Sequence, residues 1–300
     1  MDRFKFVRYA LAFDPSRSPH YKVVCVTNTV PTVFSLVESE GQHHKIDIYS
    51  SETGNWKHLN IPFFQSPSDR NRHYDLKKMA MHFDSRSREG AVYCNGALHW
   101  IRDRTGESLP FGGRDYAFQR EETDVLHYFD IGEEQLRLAA VAPPVPLVVK
   151  NIALEDSGFG LKSPTQFPHL AHKYFGECGG SLYLIETYKH CNTYFEVMEM
   201  ERDYSGWFVK YNVDLSPVFA ALPRQDWNWN ACVVLCLSRE EETDDLLLHM
   251  PGKVISYNLG DKSFKTSVEL VNKKLFLALD DRHPFRERVN FPYMETLAFV

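Results

Sequence analysis

The 300-residue sequence has no apolar run approaching the roughly 18 residues of a membrane span. Its best run, Ala231–Leu237, has the length of a strand. Positive charge is also short. The formal net charge is -6, so no basic face is available to neutralise phosphates or to hold an anionic membrane, and neither nucleic acid nor membrane is expected as a partner. The N-terminus interrupts its apolar residues with Asp2, Arg3, Lys5 and Arg8, unlike a secretory signal. Cysteine is sparse: Cys25, Cys94, Cys178, Cys191, Cys232 and Cys236. None forms a Cys-x-x-Cys, and Cys232-x-x-x-Cys236 lacks the second pair of a zinc site, so buried free thiols of a reducing compartment are expected. Phosphate-binding glycine loops and the G-x-S-x-G elbow are missing as well; Phe111-Gly-Gly-Arg114 lacks the strand–turn–helix context such loops need.

Helix signals are weak, with Leu215–Leu222 the one short candidate, opened by Pro217. Aromatic residues make up 14%, which favours pleated surfaces. Val209, Tyr211, Val213 and Leu215 alternate with Lys210, Asn212 and Asp214, and Ile255, Tyr257 and Leu259 alternate with Ser256, Asn258 and Gly260. Lys22–Val26 reads as a strand buried on both faces.

The most informative feature is an internal repeat. Four segments place a large residue at the end of an apolar strand and another seven positions on: Tyr49 to Trp56, Phe129 to Leu136, Met200 to Trp207, and Tyr257 to Phe264. Between them lie turns rich in Gly, Asp, Asn and Ser, residues that supply positive φ and side-chain-to-backbone bonds. Each segment is predicted to be a β-hairpin with its large residues paired across the strands. Gly followed by a short strand, at Asn95–Ile101 and Gly179–Ile185, suggests the inner hairpin of a propeller blade. The anchors are 80, 71 and 57 residues apart, against about 40–50 for propeller repeats, so the modules would carry loop insertions at 62–75, 102–123 and 154–173. A propeller-like ring of antiparallel four-stranded sheets is the expected all-β fold; a β-sandwich of hairpins would give similar local signals.

Chemistry is largely missing. His43-His44 precedes a strand and His169-x-x-His172 is expected in a loop, neither with a helix and an accompanying acid, so no metal or cofactor is expected. Glu240–Asp245 reads as a solvated hairpin tip, with a calcium loop or docking patch as alternatives. Asp280-Asp281 reads as a loop pair. Trp227 and Trp229 would share one side of a strand, either as core or as exposed interface anchors. With Arg114 they are the candidate partner-binding residues. An enzyme would need convergent polar groups on inner strands, and Leu98, Trp100, Leu182 and Leu184 there are apolar. No catalysis is expected.

Tyr9–Val26, Ile48–Trp56, Gly90–Trp100, Tyr174–Ile185, Met198–Tyr211 and Tyr293–Val300 resemble, in order and across nearly the whole chain, the F-box-associated domain of plant F-box proteins. The resemblance implies one kelch-like β domain over residues 1–300. It also implies the substrate-recruiting role in an SCF-type ubiquitin ligase, cytoplasmic or nuclear, with a protein substrate held by the β domain and an F-box docked on a SKP1-type adaptor. No F-box is legible in this sequence, and the family's first blade is missing too, so adaptor binding transfers to no residue here. The ring can accordingly be one blade short at the N-terminus. A free-standing interaction scaffold is the alternative.

Overall fold

The computed structural model describes residues 5–29, 43–62, 91–101, 125–141, 146, 170–188, 191, 193–221, 232–240, 243–250 and 253–269. The described residues form sixteen strands in four antiparallel four-stranded sheets, plus one short helix. Every sheet meanders, with sequence neighbours paired in space. The expected all-β class and four-stranded antiparallel sheets are therefore present.

The chain divides into two compact units. Unit one comprises residues 1–144 and Met200–Trp207. It contains sheet 1, made of β1 (Lys5–Ala12), β2 (Lys22–Thr29), β3 (His43–Ser50) and β4 (Asn55–Pro62). Its second sheet consists of β5 (Val92–Cys94), β6 (Ala97–Ile101), β7 (Val125–Asp130) and β8 (Gln135–Val141). Ala10, Val24, Val26, Ile46 and Ile48 of sheet 1 pack in one core with Leu98, Trp100, Phe129 and Leu136 of sheet 2.

Unit two comprises residues 145–199 and 208–300. Sheet 3 consists of β9 (Leu170–Cys178), β10 (Ser181–Tyr188), β11 (Tyr194–Met200) and β12 (Trp207–Asp214). Sheet 4 consists of β13 (Val233–Glu240), β14 (Thr243–Met250), β15 (Lys253–Asn258) and β16 (Phe264–Glu269). Helix α1 (Ser216–Ala221) follows β12; the Asp214 carboxylate accepts the Ser216 N–H at 2.8 Å, an Asx-type turn that satisfies the first free N–H of the helix. Tyr183, Phe195, Val213, Val218, Leu246, Leu248 and Ile255 share the core.

All four repeated segments are hairpins joining the third and fourth strands of their sheets. Tyr49 pairs with Trp56, Phe129 with Leu136, and Tyr257 with Phe264. The turn chemistry differs from expectation. Positive φ falls on Gly54 in the first hairpin but on Glu134, Tyr204 and Lys262 in the others. Asp130 and Asn258, one residue past their anchors, hold two of these turns: each side-chain oxygen accepts two backbone N–H groups at 2.8–3.0 Å. The inner hairpins of sheets 2 and 3 close through two-residue loops, Asn95-Gly96 and Gly179-Gly180, with φ positive at all four residues. That is the condition of a type I′ turn, and it explains the Gly before each strand.

Other expectations need correction. The Glu240–Asp245 run does lie at the β13–β14 hairpin, but the strands reach further into it than expected: Glu240 ends β13, Thr243–Asp245 begin β14, and Asp244 is buried; Glu241 and Glu242 lie outside the described residues. Asp244 and Asp245 sit within the strand because both carboxylates find hydrogen-bond donors. His43 and His44 lie in β3, and His172 lies in β9, its Nε2 2.9 Å from the Val234 carbonyl. Likewise Pro62 ends β4 and Leu170–Lys173 begin β9, so those loops are shorter than expected. Val209 is exposed despite its alternation. Arg114, Trp227, Trp229, His169, Asp280-Asp281 and Tyr293–Val300 lie outside the described residues, as do loop residues 63–75, 102–123 and 154–169.

Candidate functional site

The ladders align the four sheets position by position. One residue before each hairpin anchor, the third strand pairs with the second: Ile48 with Val24, Tyr128 with His99, Glu199 with Tyr183, and Ser256 with Leu247. Sheet 1 fills this pair with aliphatic side chains. Sheets 2 and 3 fill it with polar ones.

In unit two, Tyr183 is fully buried, and its hydroxyl donates to Glu199 at 3.0 Å. The same oxygen accepts from Lys210 at 2.7 Å and from Arg239 at 3.2 Å. Lys210 also reaches Glu199 at 2.9 Å and Asp244 at 3.1 Å. Arg239 and Asp244 stand opposite one another in the β13–β14 ladder and bond through two nitrogens, at 2.6 and 3.2 Å. Tyr211 donates to Asp244 at 2.9 Å. Two cations, two carboxylates and two phenols thus form one network, with Asp244 accepting from three donors.

The electrostatics follow from that geometry. Burial by itself would raise the Asp244 carboxyl, but hydrogen bonds from Arg239, Tyr211 and Lys210 hold it down to about 2. Glu199 is likewise held low against burial, by Ser181, Lys210 and Tyr183. Burial also works against the Lys210 ammonium, yet its hydrogen bonds to Tyr183, Glu199 and Asp244 raise its pKa. Tyr211 is pushed up to about 12, first by burial and then by Asp244. Gly179 makes room for the Arg239 guanidinium: a Cβ there would lie 2.8 Å from its Cζ. Every charge is committed, so the network holds strands in place and leaves no acid or base free for proton transfer. The Arg239 side chain is one-third exposed, and it is the part of the network most open to a partner.

In unit one, His99 is fully buried, with Nδ1 3.1 Å from the Val92 carbonyl and Nε2 2.8 Å from the Tyr204 hydroxyl. This arrangement puts the proton on Nδ1, with Nε2 accepting from Tyr204. Tyr128 stacks on both rings, at 5.7 Å from His99 and 4.4 Å from Tyr204. Burial pulls the His99 imidazole down to about 4, so it is neutral at physiological pH. Tyr204 rises to about 12, chiefly through burial.

Tyr9, Cys25, Asp47 and His58 lie in one register row across sheet 1, with His58 Nδ1 2.6 Å from Asp47. Asp47 stands between the thiol and the imidazole. The latter two are two strands apart, about 9–10 Å, beyond the reach of a base for its nucleophile. Burial raises the Cys178 thiol to about 11 and Cys232 to about 12, which makes them poor nucleophiles. All six cysteines are free thiols. No cluster of three or more metal-ligating side chains occurs among the described residues, and no described helix is long and apolar enough to cross a membrane.

Sequence reasoning missed Asp244, Lys210, Arg239, Tyr183 and His99. For His99 and Tyr183 alone a signal was present, in the aligned strands Gly-Ala-Leu-His-Trp-Ile and Gly-Ser-Leu-Tyr-Leu-Ile, where each stands inside an apolar strand.

No family model matches the chain. It is 31% identical, over 98% of its length, to F-box protein At5g07610 of Arabidopsis thaliana, and it spans 60% of that protein. Among solved structures it is similar to the Trypanosoma rangeli sialidase, with a TM-score of 0.32 and 10% identity over 88% of this chain and 39% of the sialidase. A Pyrococcus horikoshii acylaminoacyl peptidase gives a TM-score of 0.30 and 8% identity over 87% and 38% of the two chains. Scores this low carry no argument about fold or chemistry.

Proposed function

We propose that this chain is a non-enzymatic recognition module of one kelch-like β domain, and that it recruits a protein substrate to an SCF-type ubiquitin ligase. The observation that carries the reading is its 31% identity, across 98% of its length, to an F-box protein. Two further features support it. The polar clusters in both units are saturated with internal partners, as befits scaffolding. The sheets are four-stranded antiparallel meanders, and the loops that join such sheets commonly carry recognition. In this reading Arg114, Trp227 and Trp229 contribute to the partner surface, and the protein works in the cytoplasm or nucleus.

The test is a binding titration of the purified 300-residue chain against a SKP1-type adaptor, paired with a search for its bound substrate in plant cells. A substrate whose ubiquitination depends on the chain is the expected result, and adaptor binding by the chain would mean that a surface of the β domain serves in place of an F-box. A bound protein without adaptor contact would move the role to a free-standing scaffold. Substrate turnover by the chain alone would overturn the reading.

A further inference from the structure

The outer face of sheet 1 is built differently from the equivalent face of sheet 2. In sheet 2, Leu98, Phe129 and Leu136 are buried against the aliphatic side chains of sheet 1. Their register equivalents in sheet 1 are Val23, Tyr49 and Trp56. Together with Leu11 these form one unbroken row across all four strands, because the three ladders of sheet 1 run without a register shift. Leu11 is 55% exposed and Trp56 49%. The neighbouring row, Tyr9–Cys25–Asp47–His58, lies on the same face, and Tyr9 is 68% exposed. Tyr21 packs on Tyr49 and Tyr49 on Trp56, with ring centroids 6.3 and 5.4 Å apart. A face that is core in one sheet thus presents exposed Leu11, Tyr9 and Trp56 on the outer strands of the other, with Val23 and Tyr49 half-buried and Cys25 buried between them.

We propose that this face pairs with the same face of a second copy of the chain, across a two-fold axis running along the strands. Such an axis keeps each row in register and reverses the strand order. Leu11 then meets the second copy's Trp56, and Val23 meets its Tyr49, so small side chains face large ones. Tyr9 meets His58, a phenol against an imidazole. Asp47 meets Cys25 and Lys45 meets Thr27, so no like charges oppose each other, and each copy keeps its own Asp47–His58 and Lys45–Asp47 pairs. Two sheets packed in this way make a sandwich about 10 Å thick. Four strands at about 4.8 Å spacing and eight residues at about 3.3 Å give each sheet a face of roughly 500 Å², the most that either copy can contribute. The total is then at most about 1,000 Å², the lower bound of specific interfaces, so the dimer is a weak one. The pairing is independent of the recognition role.

Sedimentation velocity on the full chain from about 1 to 200 µM tests it, a range that covers weak association. The expected result is a reversible shift from the 34.8 kDa monomer to a dimer with a midpoint of tens of micromolar. The double variant Leu11→Lys with Trp56→Lys should remain monomeric throughout, with an unchanged circular dichroism spectrum. Hydroxyl-radical labelling of Tyr9 and Trp56 in the unaltered chain should fall as concentration rises. A monomer at every concentration overturns the proposal. So does a dimer that forms equally well in the double variant, or one that leaves Tyr9 and Trp56 as reactive as before.

Discussion

His99 and Tyr183 occupy one position in two sheets, yet they are held by opposite chemistry. Each follows a two-residue positive-φ turn, each is fully buried, and each pairs across the ladder with the residue before a hairpin anchor. His99 is kept neutral by burial and has rings for neighbours. Tyr183 sits among four charged groups that cancel in two pairs. The backbone scaffold therefore tolerates a polar centre of either kind, provided that every donor and acceptor is met. The cost of breaking each centre should differ accordingly.

The largest effect is expected at Asp244. Asp244→Ala strands Arg239 and Lys210 beside a buried phenol and should lower unfolding stability by about 3–5 kcal/mol in urea titrations. A loss below about 1 kcal/mol would mean that the network is no more than a surface ion pair. The pH dependence carries the same sign. The Asp244 carboxyl is held below its ordinary value, so its contribution is full above about pH 4 and fades as pH falls toward 2.

His99→Leu ranks second, at about 1–3 kcal/mol, because the Tyr204 hydroxyl loses its buried acceptor. His99 adds an acid window of its own. Its imidazole is depressed from 6.5 to about 4 in the folded state, so the unfolded chain takes up the proton first and stability falls as pH drops between those values. The drop is about 3 kcal/mol at most. Urea titrations of His99→Leu should lose this slope between pH 6.5 and 4 while keeping the Asp244 slope below it.

The turns sharpen the comparison. Asn95 and Gly179 are equivalent, and both have positive φ. Asn suits that backbone, but at position 179 its Cβ would collide with Arg239. Gly179→Asn should therefore cost about 1–2 kcal/mol, against a few tenths for Asn95→Gly, as read from thermal melts. The smallest effect is expected at Lys57, whose bond to Glu134 at 2.6 Å is formed by a side chain 61% exposed. Lys57→Ala should change stability by less than about 1 kcal/mol, and its residual effect should vanish in high salt.

Much of this fold was legible in the sequence because hairpins announce themselves locally. Anchors seven residues apart and glycines before short strands located the paired strands of each sheet. The network was not legible because its members are spread over five strands, from Tyr183 to Asp244, and look like solvated residues in isolation. Lys210 fits an ordinary polar alternation, and Asp244 sits in a run of acids. Only the pairing of Arg239 with Asp244 across one ladder, and of Tyr183 with Glu199 across another, turns them into a cluster. Positive φ at Glu134 and Lys262 was equally hidden, since neither residue type favours that conformation.

The most direct measurement is a pH titration of the His99 ring nitrogens by NMR, assigned by comparison with His99→Gln. The account predicts a neutral ring, protonated on Nδ1, with a midpoint near pH 4. A midpoint near 6.5 would place His99 in water and contradict the claim that one strand position holds a neutral centre in one sheet and a charged one in the other.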